Sequence, residues 1–382
     1  MKINGFLRAN QTIGVRNHLL VMPSVICAND VARMIAEKLP GAVYINHEHG
    51  CGNHIEVTRQ RIKRTLIGYG SNPNVGACIV IGLGCEQMDA DEIAGEIAKT
   101  GKPVDSIVIQ KTGGTVKSVE QGVQIGRKML DNLAGCKREN FDLSVLTLAL
   151  ECGGSDPTSG IAANPALGVA SDLLVENGGT SIISETSEIV GAEHLMAKRA
   201  VNREVADQLL EIVSRAERKG LKQGEDMSNL SPGNRAGGLS TVEEKSLGCI
   251  HKAGKAPLQE VIEYAFQPSK KGLIVMNTPG RDIVSVTAKV AGGAQVVGFT
   301  TGRGTPVGCP IAPVLKICGN SFTSMNMADN IDIDAGVVIE GTKTIPEVGK
   351  EIFQEIIDVA NGKLTKAEQL GIGDFAIYEW IE

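Results

Sequence analysis

The chain has 382 residues, 42% of them hydrophobic and 21% charged, and a formal net charge of −6. That length buries a sizeable core and fits about two domains. The acidic balance and the scattered Lys and Arg residues argue against a nucleic-acid or anionic-membrane partner. The start, Met1-Lys2-Ile3-Asn4-Gly5, lacks the apolar core of a secretory signal, and no run of about 18 apolar residues offers a membrane span, so a cytoplasmic location is expected. Nine cysteines, an odd number without zinc-finger spacing, fit reduced thiols better than a disulfide framework.

In chain order, Leu19-Leu20-Val21-Met22 reads as a strand, followed by a polar turn around Cys27 and a helix to about Lys38. Val43-Tyr44-Ile45 is a second strand, running into Asn46-His47-Glu48-His49-Gly50-Cys51-Gly52. Cys78-Ile79-Val80-Ile81 is a third; it ends in Gly82-Leu83-Gly84-Cys85-Glu86 ahead of a helix to about Lys99. Ser106 to Ile109 starts another such cycle, with a helix to about Leu133. The polar stretch from Lys137 to Asp142 marks a boundary between an N-terminal α/β domain, 1–140, and a C-terminal one, 141–382. The second half opens with an apolar strand from Leu143 to Leu150 that stops in Glu151-Cys152-Gly153-Gly154-Ser155-Asp156, before a helix past Asn164-Pro165. A charged helical region follows from about Ala192 to Arg218, then a Gly-, Ser- and Asn-rich loop over 223–254 that is too long for a simple connection. Further strands are expected at Leu273–Met276, Gln295–Thr300 and Val314–Ile317, and a helix at Ile345–Ala360. The repeated strand–loop–helix unit predicts an α/β fold of mostly parallel sheets in two Rossmann-like halves, with the active site at the strands' carboxyl ends.

Several loops at those ends carry chemistry-bearing side chains. His47-x-His49-x-Cys51 can turn imidazole and thiolate to one face of an extended segment, as metal ligation requires. Cys27, Cys85 and Cys152 each follow a strand. Glu86 and Glu151 sit beside two of these cysteines, where burial would suit them to general-base work. Thr300-Thr301-Gly302-Arg303-Gly304 offers hydroxyls, N–H groups and a guanidinium for a carboxylate, and Arg16-Asn17-His18 could do likewise. A mononuclear divalent metal ranks ahead of an iron–sulfur cluster, because the cysteine spacing is not that of a ferredoxin. Gly82-Leu83-Gly84 opens a dinucleotide fingerprint but Gln87 replaces the third glycine, which disfavours a dehydrogenase.

The motifs GFLRANQTIGVRNHLLVMPSVICAN, HEHGCGN, IGLGCE, ECGGSDPTSGIAANPALG, SPGNRAGG with EEKSLG, NTPG and FTTGRGTPVG, spread from about Gly5 to Phe375, resemble the altronate and galactarate dehydratase family. The large subunit of sulfolactate sulfo-lyase is similar too. The resemblance implies a lyase that dehydrates a sugar acid to a 2-keto-3-deoxy acid, dependent on ferrous iron or manganese. It also implies a separate small subunit in place of the extra N-terminal domain of fused relatives; an oligomer is expected. On this reading His47, His49, Cys51, Cys85 and Cys152 include the metal ligands. Arg16, Asn17, Ser155, Asp156, Thr301 and Arg303 are candidates for holding substrate, and Glu86, Glu151 or Lys245 is the base. The alternatives are a carbon–sulfur lyase acting on sulfolactate and a noncatalytic sugar-acid binding subunit.

Overall fold

The computed structural model describes residues 1–52, 55–222 and 230–378. Asn53 of the His/Cys loop and residues 223–229 of the Gly-rich stretch lie outside the described residues.

Two parallel sheets carry the chain. The smaller has the order β4-β3-β5-β6, formed by β3 (His18–Pro23), β4 (Ala42–Tyr44), β5 (Val75–Gly82) and β6 (Val104–Val108). β5 is buried at every position, as an apolar strand covered on both faces must be. Helices Asn29–Glu37 and Thr115–Ala134 contribute to the core on one face through Ile35, Val119 and Val123. Glu56–Ser71 and Ala90–Ala98 do so on the other through Ile62, Leu66 and Ile93.

The larger sheet has seven parallel strands: β8 (Thr147–Cys152), β9 (Thr180–Ile183), β10 (Leu258–Ile262), β11 (Gly272–Met276), β12 (Val296–Thr301), β13 (Val314–Cys318) and β14 (Ile333–Asp334). Their order is β10-β11-β9-β8-β12-β13-β14, so the chain builds outward from β8 to one side and then crosses to build the other. Loops leaving the carboxyl ends at such a reversal point splay apart and leave a crevice. A three-stranded antiparallel ribbon, β2 (Ile13–Gly14), β1 (Lys2–Leu7) and β7 (Glu139–Asp142), ties the amino terminus to the segment between the sheets.

Local expectations differ from the structure in places with a physical reason. Leu143–Val145 is a short 3-10 turn, and the strand begins at Thr147 once the chain enters the sheet. The 192–218 region is two helices, Glu193–Ala197 and Arg203–Lys222. Within 223–254, Ser231 caps a helix at Pro232–Ala236 and Thr241 caps another at Val242–His251, each side chain accepting an N–H three residues on. Among the described residues, no helix is long and apolar enough to cross a membrane.

Candidate active site

The carboxyl ends of β8, β9, β11 and β12 surround a cavity of about 790 Å³ lined by Gly153, Ser155, Ser187, Glu188, Asn234, Lys245, Asp282 and Arg303, among others. Lys245 comes from helix Val242–His251, and Asp282 opens helix Asp282–Ala291. A Cβ at Gly153 would lie 2.0 Å from Asp282 Oδ2, so any larger residue there would displace the Asp282 carboxylate.

Beneath the cavity lies a fully buried polar cluster. The Lys252 ammonium donates to Glu185 Oε2 at 2.5 Å, Cys152 Sγ at 2.9 Å and Cys249 Sγ at 3.0 Å. Lys289 pairs with Glu151 and donates to the Leu150 carbonyl at 2.5 Å; Lys245 pairs with Glu188 at 2.5 Å. Glu185 is a non-glycine residue at φ +67°, a conformation costing about 1–3 kcal/mol. Its N–H is held by Thr278 Oγ1 at 2.9 Å, which turns the chain after β9 and directs the carboxylate inward.

The electrostatics follow from burial and pairing. Burial, with Glu185 and Glu188 nearby, pushes Asp282 up to about 7. Burial and then Glu185 push Glu151 well above the usual carboxylate range against the pull of Lys289. In Glu185, burial is outweighed by Lys252 and Lys289, which hold it low. Glu151 Oε1 and Glu185 Oε1 are both buried without a hydrogen-bond partner. Burial opposes the charge on Lys252, yet Cys152, Cys249 and Glu185 keep it protonated. Burial also opposes the charge on Lys245, half-buried in the cavity wall, and Glu188 holds it charged. A hydrogen bond from Cys152 to Cys249 splits the thiols, raising the first and lowering the second.

Of the residues singled out from sequence, Ser155, Lys245 and Arg303 line the cavity, and Glu151 and Cys152 lie in the cluster below it. Arg303 donates to the Gly233 carbonyl at 2.6 Å, placing its guanidinium at the rim. Thr301 and Asp156 brace the walls instead. Thr301 Oγ1 accepts the Gly304 N–H at 2.9 Å, and Asp156 accepts Thr158 Oγ1 at 2.6 Å and the Ser159 N–H at 3.0 Å.

Arg16 and Asn17 stand apart. They precede β3 and so lie at the amino end of the small sheet, away from the edge where ligands bind. Arg16 makes a two-pronged pair with Glu368, at 2.7 and 2.9 Å, and Asn17 joins Arg8 to the Leu133 carbonyl. Both lock the amino terminus to other parts of the chain. Glu86 serves its own loop, accepting the N–H groups of Leu83 at 3.1 Å, Gly84 at 2.6 Å and Cys85 at 3.0 Å together with the Ser24 hydroxyl at 3.1 Å. A carboxylate so occupied is a brace rather than a base. Lys245, held charged by Glu188, is a cationic donor rather than a base, and Glu151, its pKa raised by burial, has no exposed surface from which to meet a substrate.

The expected iron ligands do not form one coordination shell. Among the described residues, two groups of His, Cys, Asp or Glu have ligand atoms all within 4.8 Å of one another: Cys152–Glu185–Glu188–Cys249 and Glu151–Glu185–Asp282. His47, His49, Cys51 and Cys85 enter neither. Both His47 ring nitrogens are engaged, Nε2 with the Pro23 carbonyl at 2.9 Å and Nδ1 with the His49 N–H at 3.2 Å. The first group does not fit a divalent ion either, because the Lys252 ammonium already sits against both sulfurs and Glu185.

Sequence reading missed Glu185, Glu188, Cys249, Lys252, Asp282 and Lys289. One signal was available: Lys289 is the single basic residue in the apolar helix DIVSVTAKVA, and it is fully buried.

Fold and cavity together define a parallel α/β protein with a polar cavity at the carboxyl edge of its larger sheet. Residues 143–381 match the family described as D-galactarate/Altronate dehydratase, C-terminal, and residues 5–134 match D-galactarate dehydratase/Altronate hydrolase, second domain. The chain belongs to this galactarate/altronate dehydratase family. It is 33% identical to an altronate dehydratase of Bacillus subtilis over 98% of this chain and 77% of the relative. It is 35% identical to the (2R)-sulfolactate sulfo-lyase subunit beta of Chromohalobacter salexigens over 98% of this chain and 96% of the relative. It is 41% identical to a galactarate dehydratase (L-threo-forming) of Escherichia coli over 81% of this chain and 61% of the relative.

Proposed function

We propose that the chain is a sugar-acid dehydratase, eliminating water from an aldonate or aldarate to leave a 2-keto-3-deoxy acid. The observation that carries this reading is that Asp282, a carboxyl with a pKa near 7, opens into the same cavity as two cationic side chains, Lys245 and Arg303. A proton next to a carboxylate is hard to remove because the resulting aci-carboxylate carries two negative charges. Cationic donors placed in advance stabilise it, each such hydrogen bond being worth roughly 1.5–3 kcal/mol.

In this mechanism Lys245 and Arg303 hold the substrate carboxylate and Asp282 takes the α-proton. The freed electron pair forms the double bond as the β-hydroxyl leaves. Glu188, its pKa raised by burial, gives that hydroxyl a proton, so water departs. The remaining enol tautomerises to the 2-keto acid. The names of the dehydratase relatives support the substrate class.

The test is a panel of aldonates, aldarates and sulfolactate under reducing, iron-replete conditions, with keto acid and sulfite both measured. A sugar acid should yield keto acid, at a rate falling about 100-fold or more in Asp282→Asn. Arg303→Gln should raise KM roughly 10–100-fold. Sulfite from sulfolactate with no keto acid from any sugar acid would transfer the reading to a carbon–sulfur lyase. Sugar-acid binding without turnover would make the chain a binding subunit.

A further inference from the structure

The dehydratase cavity leaves four exposed thiols unexplained, and three of them sit on one edge of the small sheet. Cys27, Cys51 and Cys85 are free and exposed, and each lies in the loop after one of three neighbouring parallel strands, β3, β4 and β5. The loops therefore leave the same edge of the small sheet. They are also tied to one another. The Ile26 N–H donates to the His49 carbonyl at 2.8 Å, and the Gln87 N–H to the Gly50 carbonyl at 3.4 Å. Asn29 Nδ2 donates to the His47 carbonyl at 2.8 Å, and Ser24 Oγ to Glu86 at 3.1 Å. Each cysteine is one or two residues, at most about 8 Å of backbone, from a hydrogen bond joining its loop to the next.

Gly50 makes this possible: at φ +94° it packs against the first loop, where a Cβ would lie 2.4 Å from the Ser24 carbonyl. Beside Cys51, Gly52 faces open space. The neighbouring polar groups are committed elsewhere, His47 through both ring nitrogens and Glu86 to the backbone of its own turn. Cys27, Cys51 and Cys85, by contrast, are free and exposed.

Spacing decides what they can hold. Thiolates on a single tetrahedral ion, with metal–sulfur bonds of about 2.3 Å, lie roughly 3.8 Å apart. The three cysteines do not meet within 4.8 Å of one another. A cluster that places its own iron and sulfide between the ligands bridges thiols too distant for one ion. We propose that Cys27, Cys51 and Cys85 bind a [4Fe–4S] cluster on the carboxyl rim of the small sheet, three irons held by thiolates and the fourth without a cysteine ligand. Assembly takes two ferrous ions, two ferric ions and four sulfides, which together make the 2+ core with no change of oxidation state, and each thiol gives its proton to solvent as its sulfur binds iron. None of the three cysteines lines the Asp282 cavity, and the proposal does not depend on the dehydratase reading.

The full chain, purified and reconstituted anaerobically with equal amounts of ferrous and ferric iron and with sulfide, tests this without any turnover assay. About four iron and four acid-labile sulfide per chain are expected, with visible thiolate-to-iron absorption and a paramagnetic resonance signal on reduction or oxidation. Cys27→Ser, Cys51→Ser and Cys85→Ser should each lose most of the cluster while melting as the apo wild type does. Cys136→Ser, an exposed thiol elsewhere, should keep it. Iron bound without sulfide, a cluster surviving in the triple serine variant, or equal loss in Cys136→Ser would each overturn the proposal. Failure here would leave the keto-acid assay and its Asp282 variant untouched.

Discussion

The ammonium of Lys252 lies 2.9 Å from the sulfur of Cys152, on a side chain with no exposed surface, and occupies the place a metal would take among those ligands. It neutralises Glu185 at 2.5 Å and faces Cys249 at 3.0 Å, so the buried cluster is balanced by lysine. Removing one partner of a buried pair strands the other charge.

Lys252→Met should therefore destabilise the fold by about 3–5 kcal/mol, seen as a lower denaturant midpoint. Adding Glu185→Gln should recover a large part of that loss, because it removes the stranded carboxylate. A double variant no more stable than Lys252→Met would show that packing, not charge, sets the cost.

Asp282 gives the activity a pH signature. Its pKa near 7 means the base form grows as pH rises through 7, so kcat/KM should climb over that range and level above it. Stability moves the other way. The unfolded carboxyl loses its proton near pH 4 and the folded one near 7, so in that window the folded state binds more protons and stability falls as pH rises. Asp282→Asn should abolish the rate rise and flatten that part of the stability profile. Gly153→Ala, whose Cβ would meet Asp282 Oδ2 at 2.0 Å, should lower kcat and shift the apparent pKa while leaving the fold intact. A kcat/KM profile flat from pH 6 to 8 in the wild type would remove Asp282 from the role.

These features were legible in the sequence to different degrees. The strand–loop–helix cycle announced the parallel sheets because apolar runs such as Cys78–Ile81 are short and bounded by glycine. Helix Ile345–Ala360 was readable from periodicity and a Thr344–Glu347 capping box. The edge on which a loop sits follows from whether it precedes or succeeds its strand, and Arg16 and Asn17 precede β3. The partners of Cys152 were hidden for another reason. Glu185, Cys249 and Lys252 lie 33 to 100 residues away and meet it only through the strand order. A hydrogen-bonded network of that reach leaves no local spacing to read.

Lys102 provides a stability test far from the cavity. Its ammonium is buried and donates to the carbonyls of Gly70 at 3.0 Å and Asn72 at 2.9 Å, covering the carboxyl end of helix Glu56–Ser71. Burial, with Arg8 nearby, lowers its pKa to about 7, whereas the unfolded side chain titrates near 10.4. Between those values the unfolded chain binds one proton more than the folded one, so this group's contribution to stability rises with pH by about 1.4 kcal/mol per unit. Below pH 7 both states are protonated and the contribution is flat. The neutral amine still has two N–H groups for the two carbonyls. Cysteines kept protonated by burial, Cys78 among them at about 12, push the wild-type profile the opposite way above their unfolded pKa. The informative quantity is therefore wild type minus Lys102→Met, from urea midpoints at pH 6 to 10. That difference should be constant up to pH 7 and then shift in favour of the wild type. A difference unchanged across the whole range would mean that Lys102 stays charged in the folded protein.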